Sequence, residues 1–246
     1  ELEQALGALT RLGLEAPARG AALNRGVLLL ELGDATRAEE VLTTVHARAR
    51  AAHDELVAAE AAGALGNLRL ALRDPAGARE WWSKVPEGDT QLSCLALIGT
   101  GRAALEQGAL DDAAASLDRA VAIARGGDLG VTALVAEAHR AEVELRRGRA
   151  ADAAARLAGV IAESDRVDAR EPAWQARWLL GRALLEQDRA GEAVRRLREA
   201  VAILERLGDR LDPLGEGLRV LRDRADPYAD LAAALATAEA ADPARA

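Results

Sequence analysis

The chain has 246 residues, a net charge of −8 at pH 7 and a mean hydropathy of −0.06. The acidic balance argues against general affinity for nucleic acid, which depends on neutralising phosphates. No run approaches the roughly 20 apolar residues that a membrane-spanning helix needs. Alanine, leucine, arginine and glutamate dominate while phenylalanine and methionine are absent, so an all-α protein is expected.

Cysteine content and the N-terminal sequence bear on cellular context. A single cysteine, Cys94, excludes an intramolecular disulfide framework, and no signal-peptide pattern opens the chain. We expect a cytoplasmic protein. Because the sequence starts at Glu1 and contains no methionine, we also expect it to be a segment of a longer protein.

The first predicted element is an amphipathic helix within residues 1–13. Its apolar residues fall on one face at helical spacing, namely Leu2, Ala5, Leu6, Leu9 and Leu12. This pattern predicts the second helix of a pair whose first helix is truncated, and we assign residues 1–19 to a partial helical repeat.

A register of small and apolar residues then repeats five times between residues 20 and 207. Gly or Ala is followed after seven residues by a turn residue, then after five by alanine, after four by Leu or Trp, and after three by Val or Ala. The copies are Gly26/Gly33/Ala38/Leu42/Val45, Gly66/Arg73/Ala78/Trp82/Val85, Gly101/Gly108/Ala113/Leu117/Ala120, Ala141/Gly148/Ala153/Leu157/Val160 and Gly181/Asp188/Ala193/Leu197/Ala200.

Each copy is predicted to form two helices joined by a short turn. The first helix carries the leading Gly or Ala and ends at the turn residue, where glycine suits the left-handed conformation that closes a helix. Pro75 fits the first turn of a second helix, since its missing N–H costs little there. Repetition at this period is typical of helical solenoids.

The five-copy pattern resembles the tetratricopeptide repeat, a helix-turn-helix unit with small residues at its packing points. The resemblance implies an all-α solenoid of TPR-like repeats wound into a right-handed superhelix, with first helices lining a concave face. Two features depart from the family. Aromatic positions of the first helix are mostly aliphatic or polar, and the leading column at 26, 66, 101, 141 and 181 advances by 40, 35, 40 and 40 residues. We expect the extra residues to lengthen the second helix and its link to the next copy.

The short step and the C-terminal region carry further predictions. Pro86 and Gly88 should end the second helix of copy two early, and a change of superhelical pitch is predicted near residues 86–92. Residues 208–246 are assigned to a capping region with helices at 213–223 and 227–240 and a frayed tail at 242–246.

Candidate catalytic and metal-binding residues are few. Cys94 and His139 could be considered as a thiol–imidazole pair, but no third orienting residue is indicated by spacing. His46 and His53 are two helical turns apart, and His139 with Glu142 supplies two ligands where a metal site needs three or four. We therefore expect no enzymatic activity, no metal and no cofactor.

The tryptophans leave two interpretations open. Trp82 occupies the large-residue column and should lie in the core, with the adjacent Trp81 directed elsewhere. Trp174 and Trp178 share one helical face. They either pack between copies four and five or anchor a partner, since aromatic residues dominate binding hot spots.

We define the first-helix face as the residues one after and three before each leading Gly or Ala. On that face the family resemblance places the partner-binding groove, and our candidate contacts there are Asn67, Arg102, Glu142, Trp178 and Arg182. The sequence thus predicts a scaffold domain of a larger bacterial protein that binds a protein, a peptide or a neighbouring domain, with no nucleic acid or membrane partner. The alternative is a solenoid that senses a small effector and regulates an attached kinase, peptidase or transcription-activator domain.

Overall fold

A computed structural model describes residues 2–86, 90–211 and 226–241. Within those ranges every regular element is an α-helix, and the chain divides into two compact units, residues 1–107 and 108–246. In each unit, helices that are consecutive in sequence pack against one another. The prediction of an all-α repeat fold is confirmed.

The helices have the following bounds. Unit 1 contains α1 Leu2–Arg11, α2 Glu15–Glu31, α3 Ala35–Ala51, α4 Glu55–Ala71, α5 Pro75–Trp82 and α6 Thr90–Glu106. Unit 2 contains α7 Leu110–Gly126, α8 Gly130–Arg146, α9 Ala150–Arg166, α10 Arg170–Leu185, α11 Ala190–Leu211 and α12 Asp226–Ala241. Since α2 begins at Glu15, the first full helix pair starts five residues before the expected boundary at residue 20.

The long period of about 40 residues has a simple structural basis. Helices α2, α3, α4, α7, α8 and α9 each contain 17 residues. Three-residue connections separate most of them, both inside a copy and between copies. A helix with its connection thus occupies about 20 residues. The expected longer link between copies is wrong, because the additional residues lie in both helices of the pair.

Residues in the left-handed backbone conformation follow the ends of these helices at regular intervals. The predicted turn residues Gly33, Arg73, Gly108, Gly148 and Asp188 all have positive φ, between 58° and 75°. The sequence register did not include the links between copies, where His53, Asp128 and Asp168 have φ of 51° to 55°. Asn, Asp and His tolerate this conformation better than most residues with a side chain. Both kinds of connection therefore use the same helix-ending geometry.

Contacts between the glycine and leucine columns hold the helix pairs together. A Cβ atom on Gly26 would lie 2.5 Å from Leu42 Cδ2, and one on Gly181 would lie 2.6 Å from Leu197 Cγ. Leu42 and Leu197 are fully buried. The leading glycine therefore allows the second helix to approach the first at the distance that buries the leucine.

Copy two differs because its second helix is short and carries tryptophan in place of leucine. Helix α5 has eight residues and ends at Trp82, ahead of Pro86, as predicted. Trp82 is buried, and Cβ atoms on Gly66 or Gly99 would overlap its indole ring. Trp81 is partly buried at the edge of this core and packs edge-on against His46 of α3, with 5.3 Å between ring centroids.

Helices α1 and α12 are the first helix of unit 1 and the last described helix of unit 2. Helix α1 packs against α2, and α12 packs against α11 and α10. The predicted helix at 227–240 is confirmed, with Pro227 fully buried at its start. The predicted helix at 213–223 and the predicted fraying of residues 242–246 lie outside the described residues. The predicted change of pitch remains a prediction, since residues 87–89 are also outside them.

Candidate functional site

The predicted binding residues lie in both units and differ in exposure. In unit 1, Asn67 is exposed on α4 and Arg102 is partly buried on α6. In unit 2, Glu142 lies on α8, and Trp178 and Arg182 lie on α10, all three partly buried. Because α8 and α10 pack against each other, unit 2 brings its three candidates into one cluster.

Glu142 is the centre of the polar contacts on α8. Its Oε1 accepts a hydrogen bond from Arg146 at 3.1 Å, and its Oε2 lies 3.6 Å from Nδ1 of His139. The other imidazole nitrogen of His139 lies 3.2 Å from the side-chain amide of Gln175 on α10. These contacts connect the two first helices of unit 2 across their polar face.

Opposing effects act on the ionisation of Glu142. Burial alone would raise the pKa of its carboxyl group, since the charged form loses water. The imidazole of His139 and the charges of Arg146 and Arg182 outweigh burial and lower the pKa of Glu142. The carboxylate is therefore held ionised, and Arg182 of α10 contributes to its stabilisation.

Within this cluster, Trp178 and Arg182 also contact a residue of the terminal helix. The indole Nε1 of Trp178 donates a hydrogen bond to Asp230 Oδ2 at 2.7 Å, and Nε of Arg182 lies 3.9 Å from the same oxygen. The guanidinium carbon of Arg182 is 5.5 Å from the centroid of the Trp178 ring, within the range of a cation–π contact. One carboxylate of α12 thus meets both predicted contact residues of α10.

The open question about the tryptophan pair has a different answer for each residue. Trp174 is buried with 7% exposure and packs with Ile203 and Leu204 of α11. Trp178 stacks against it at 6.2 Å between ring centroids and extends to the surface beside α12. Trp174 is a core residue, whereas Trp178 lies where core and surface meet.

Asp230 is the residue of this cluster that the sequence register did not reveal. It is 52 residues from Trp178 in sequence and lies outside the five copies. The only sequence signal was the helical pattern of residues 227–240, which indicates a helix and not its partner. His139 and Gln175 were missed as a connection for a similar reason, since they lie on different copies.

A second polar feature of unit 2 is a pair of ion bridges with reversed charges. Glu137 of α8 accepts hydrogen bonds from Arg125 of α7, at 2.6 Å, and from Arg156 of α9. The residue 40 positions later, Arg177 of α10, donates to Asp165 of α9 and Glu199 of α11. Both bridges join a first helix to the second helices on either side of it. The same location in two copies is therefore held by opposite charge arrangements.

The Glu137 bridge lines a cleft of about 820 Å³ between α7, α8 and α9. Buried Glu137 and Glu144 form part of its wall, together with Arg125, Arg149 and Arg156. Arg149 pairs with Glu144, so charges of both signs converge on this cleft.

The residues considered from the sequence as a nucleophile or as metal ligands lack the environment that these roles need. Cys94 is buried, and burial raises the pKa of its thiol, which disfavours the reactive thiolate. Within residues 2–86, 90–211 and 226–241, no group of three or more His, Cys, Asp or Glu residues could hold a metal ion. In the same ranges, no helix is both long and apolar enough to cross a membrane.

Comparisons with known proteins give matches at the level of the fold. No family model matches the chain, and no curated protein sequence matches it. A solved structure of a putative kinesin light chain from Podosopora anserina, with nearly identical TPR-like repeats, superposes with a TM-score of 0.56 at 18% identity. That match covers 76% of this chain and 94% of the other.

A second solved structure gives a similar result over more of the chain. BtubC (BKLC) from P. vanneervenii matches with a TM-score of 0.54 at 17% identity and covers 89% of this chain and 92% of its own. Together with the helix pairs and their repeating turns, these likenesses show that the chain has the fold of tetratricopeptide-type repeat proteins, an α-solenoid class built from helix-turn-helix units.

Proposed function

We propose that the chain is a non-catalytic protein-binding domain that holds a partner segment on its first-helix face. Repeat folds of this kind serve in general as interaction scaffolds. The observation that carries the proposal is the Trp178–Arg182 pair, which already contacts a helical segment through Asp230. Aromatic and arginine side chains are the residue types most often found at binding hot spots.

The proposed partner is a protein, a peptide or a neighbouring domain of a larger protein. Asn67 and Arg102 are the proposed contacts in unit 1, and Glu142, Trp178 and Arg182 those in unit 2. The setting we propose is a bacterial, cytoplasmic signalling protein, with no nucleic acid, membrane or metal partner. The net charge of −8 supports the first of these exclusions.

Selection from a displayed peptide library tests the proposal. The peptide recovered on the unmodified chain is measured against two double variants, Asn67→Ala with Arg102→Ala and Glu142→Ala with Arg182→Ala. At least one of them should bind about tenfold more weakly, a difference of about 1.4 kcal/mol, while helicity stays unchanged. Arg166→Ala is the control, because this side chain is 68% exposed on α9 and pairs with Glu163. Equal affinity for all variants would exclude the first-helix face as the binding surface.

A second candidate function is supported by the polar cleft of unit 2. Small-ligand sites combine a concave pocket with a few convergent polar groups, and the cleft of about 820 Å³ has such groups in Glu137, Glu144 and three arginines. This favours the alternative of an effector-sensing solenoid that regulates an attached kinase, peptidase or transcription-activator domain. A thermal-shift screen of charged metabolites would test it. A hit should be lost on Arg156→Ala and kept on Arg166→Ala.

A further inference from the structure

The terminal helix α12 lies on part of the face assigned above to a partner. Trp178 and Arg182 are one helical turn apart on α10; the indole N–H of Trp178 donates to Asp230 Oδ2, and the guanidinium of Arg182 forms an ion pair with the same oxygen at 3.9 Å. The contact of Arg182 with the Trp178 ring orients the guanidinium and the indole relative to each other. The indole N–H of Trp178 and the guanidinium of Arg182 therefore both lie beside one carboxylate oxygen.

The remaining contacts of α12 are less extensive than those of the helices inside the repeats. Pro227 and Ala234 are fully buried, and Tyr228 is partly buried against the cluster that contains Trp174. The larger side chains Leu231 and Leu235 are only partly buried against Val194 and Leu197. Helix α11, by comparison, buries seven apolar side chains, namely Ala193, Val194, Leu197, Ala200, Val201, Ile203 and Leu204. Since hydrophobic stabilisation scales with buried apolar area, the Asp230 contact supplements an apolar attachment of α12 that is smaller than that of α11.

The charge of α12 matches this contact. Its described sequence contains Asp226, Asp230 and Glu239 and no basic residue. The donors that meet it are a neutral indole and a guanidinium. A helix carrying an acidic residue beside an apolar stripe therefore fits this surface.

We propose that Trp178 and Arg182 form a site that recognises a carboxylate on a helical segment, and that α12 is the chain's own competitor for it. This inference rests on the proposed function and specifies its partner, an amphipathic helix with an acidic residue facing the pair. Because α12 belongs to the same chain as α10, its contact with the pair is intramolecular and has the advantage of effective concentration. An external helix must compete with that, so α12 lowers the apparent affinity for it.

The test uses the sequence of α12 as a probe. A fluorescein-labelled peptide of residues 226–241 is titrated by anisotropy against the full chain and against the full chain carrying Leu231→Ser and Leu235→Ser, which loosens the attached helix. The loosened chain should bind the peptide at least tenfold more tightly than the unmodified chain. A peptide with Asp230→Asn should bind the loosened chain at least tenfold more weakly than the native peptide.

Two further variants locate the site. Arg182→Ala in the loosened chain should reduce peptide affinity about as much as the Asn substitution in the peptide. Arg166→Ala, an exposed arginine on α9, should leave it unchanged. Should the loosened chain fail to fold, Asp230→Asn in the full chain replaces it. That variant should raise hydrogen exchange across residues 226–241 and strengthen peptide binding about threefold.

The contrary results are specific. Equal binding of the Asp and Asn peptides would show attachment by apolar packing alone and overturn carboxylate recognition. Equal binding by the loosened and unmodified chains would overturn competition by α12. Because the probe is the chain's own helix, these results are independent of the library selection. A failed selection would therefore count against the proposed function and not against this contact.

Discussion

The contact between Gly181 and Leu197 offers a quantitative test of how the repeats are held together. A Cβ on Gly181 would lie 2.6 Å from Cγ and 2.8 Å from Cδ2 of Leu197, which is fully buried and cannot turn away. Overpacking a tight core costs roughly 1–3 kcal/mol, whereas alanine is better than glycine inside a helix by up to about 1 kcal/mol. Gly181→Ala should therefore lower the free energy of unfolding by about 0–2 kcal/mol.

A matched control separates the clash from helix propensity. Gly159 lies inside α9, and a Cβ there would meet no atom within 4 Å. Gly159→Ala should therefore stabilise the chain by up to about 1 kcal/mol. The two variants should differ by the clash itself, roughly 1–3 kcal/mol. For a protein of this size that corresponds to a gap in Tm on the order of 2–10 °C.

Urea unfolding, monitored by the ellipticity of the helices, measures these free energies. A third variant tests whether the effect of Gly181→Ala on stability changes sign. Leu197→Ala should cost about 2–5 kcal/mol by leaving a cavity. In that background Gly181→Ala should no longer clash and should become stabilising. The reasoning is refuted if Gly181→Ala matches Gly159→Ala in the unmodified chain, or if its effect keeps the same sign once Leu197 is shortened.

Three further perturbations have defined outcomes. Asp74 caps α5 by accepting from the Gly77 N–H at 2.9 Å, so Asp74→Ala should cost about 1 kcal/mol in urea unfolding. Glu137→Gln weakens the bridge to two arginines that are 67% and 37% exposed. It should cost less than the 3–5 kcal/mol of a fully buried pair, roughly 1 kcal/mol, and the loss should shrink at high salt. The pKa of His46 is lowered by burial, then by Lys84 and Arg50. Because the folded state resists its protonation, unfolding free energy should fall as the pH drops below 6.5, and His46→Gln should remove that part of the slope.

Each of these has a control in the chain. For the cap, Asp74→Asn should retain most of the stability, since asparagine also caps helices well. For the bridge, Glu163→Gln alters an exposed pair on α9 and should leave the stability nearly unchanged, because exposed ion pairs contribute little. For the histidine, His53→Gln at an exposed position is the control variant. An identical dependence of unfolding free energy on pH for His46→Gln and the unmodified chain would contradict the role given to His46.

The sequence by itself determined the helical repeat, because its signals are local. Glycine and aspartate at the turns, such as Gly33 and Asp188, end helices by backbone preference and need no distant contact. The alternation of leading glycine with Leu42 or Leu197 places small residues opposite large ones at a fixed helical spacing. Even the short α5 followed from Pro86, since proline cannot continue a helix.

Other features of the repeat were not readable from the sequence. The links between copies end their helices on His53, Asp128 and Asp168, residue types that also occur throughout exposed helix faces. Their left-handed conformation was therefore missed, and the links were expected to be longer than they are. The equal length of the two helices in copies one, three and four became visible only with the structure.

The candidate site depended on tertiary structure throughout. Spacing selected Glu142, Trp178 and Arg182 as residues outside the packing columns, but it could not show what lies opposite them. Asp230 reaches Trp178 and Arg182 only because α12 packs against α11 and α10. Local propensity fixes where a helix begins and ends, whereas a hydrogen bond between residues 52 positions apart exists only when packing brings their helices together. The repeat and the terminal helix could therefore be read from the chain, while the packing of that helix against Trp178 and Arg182 could not.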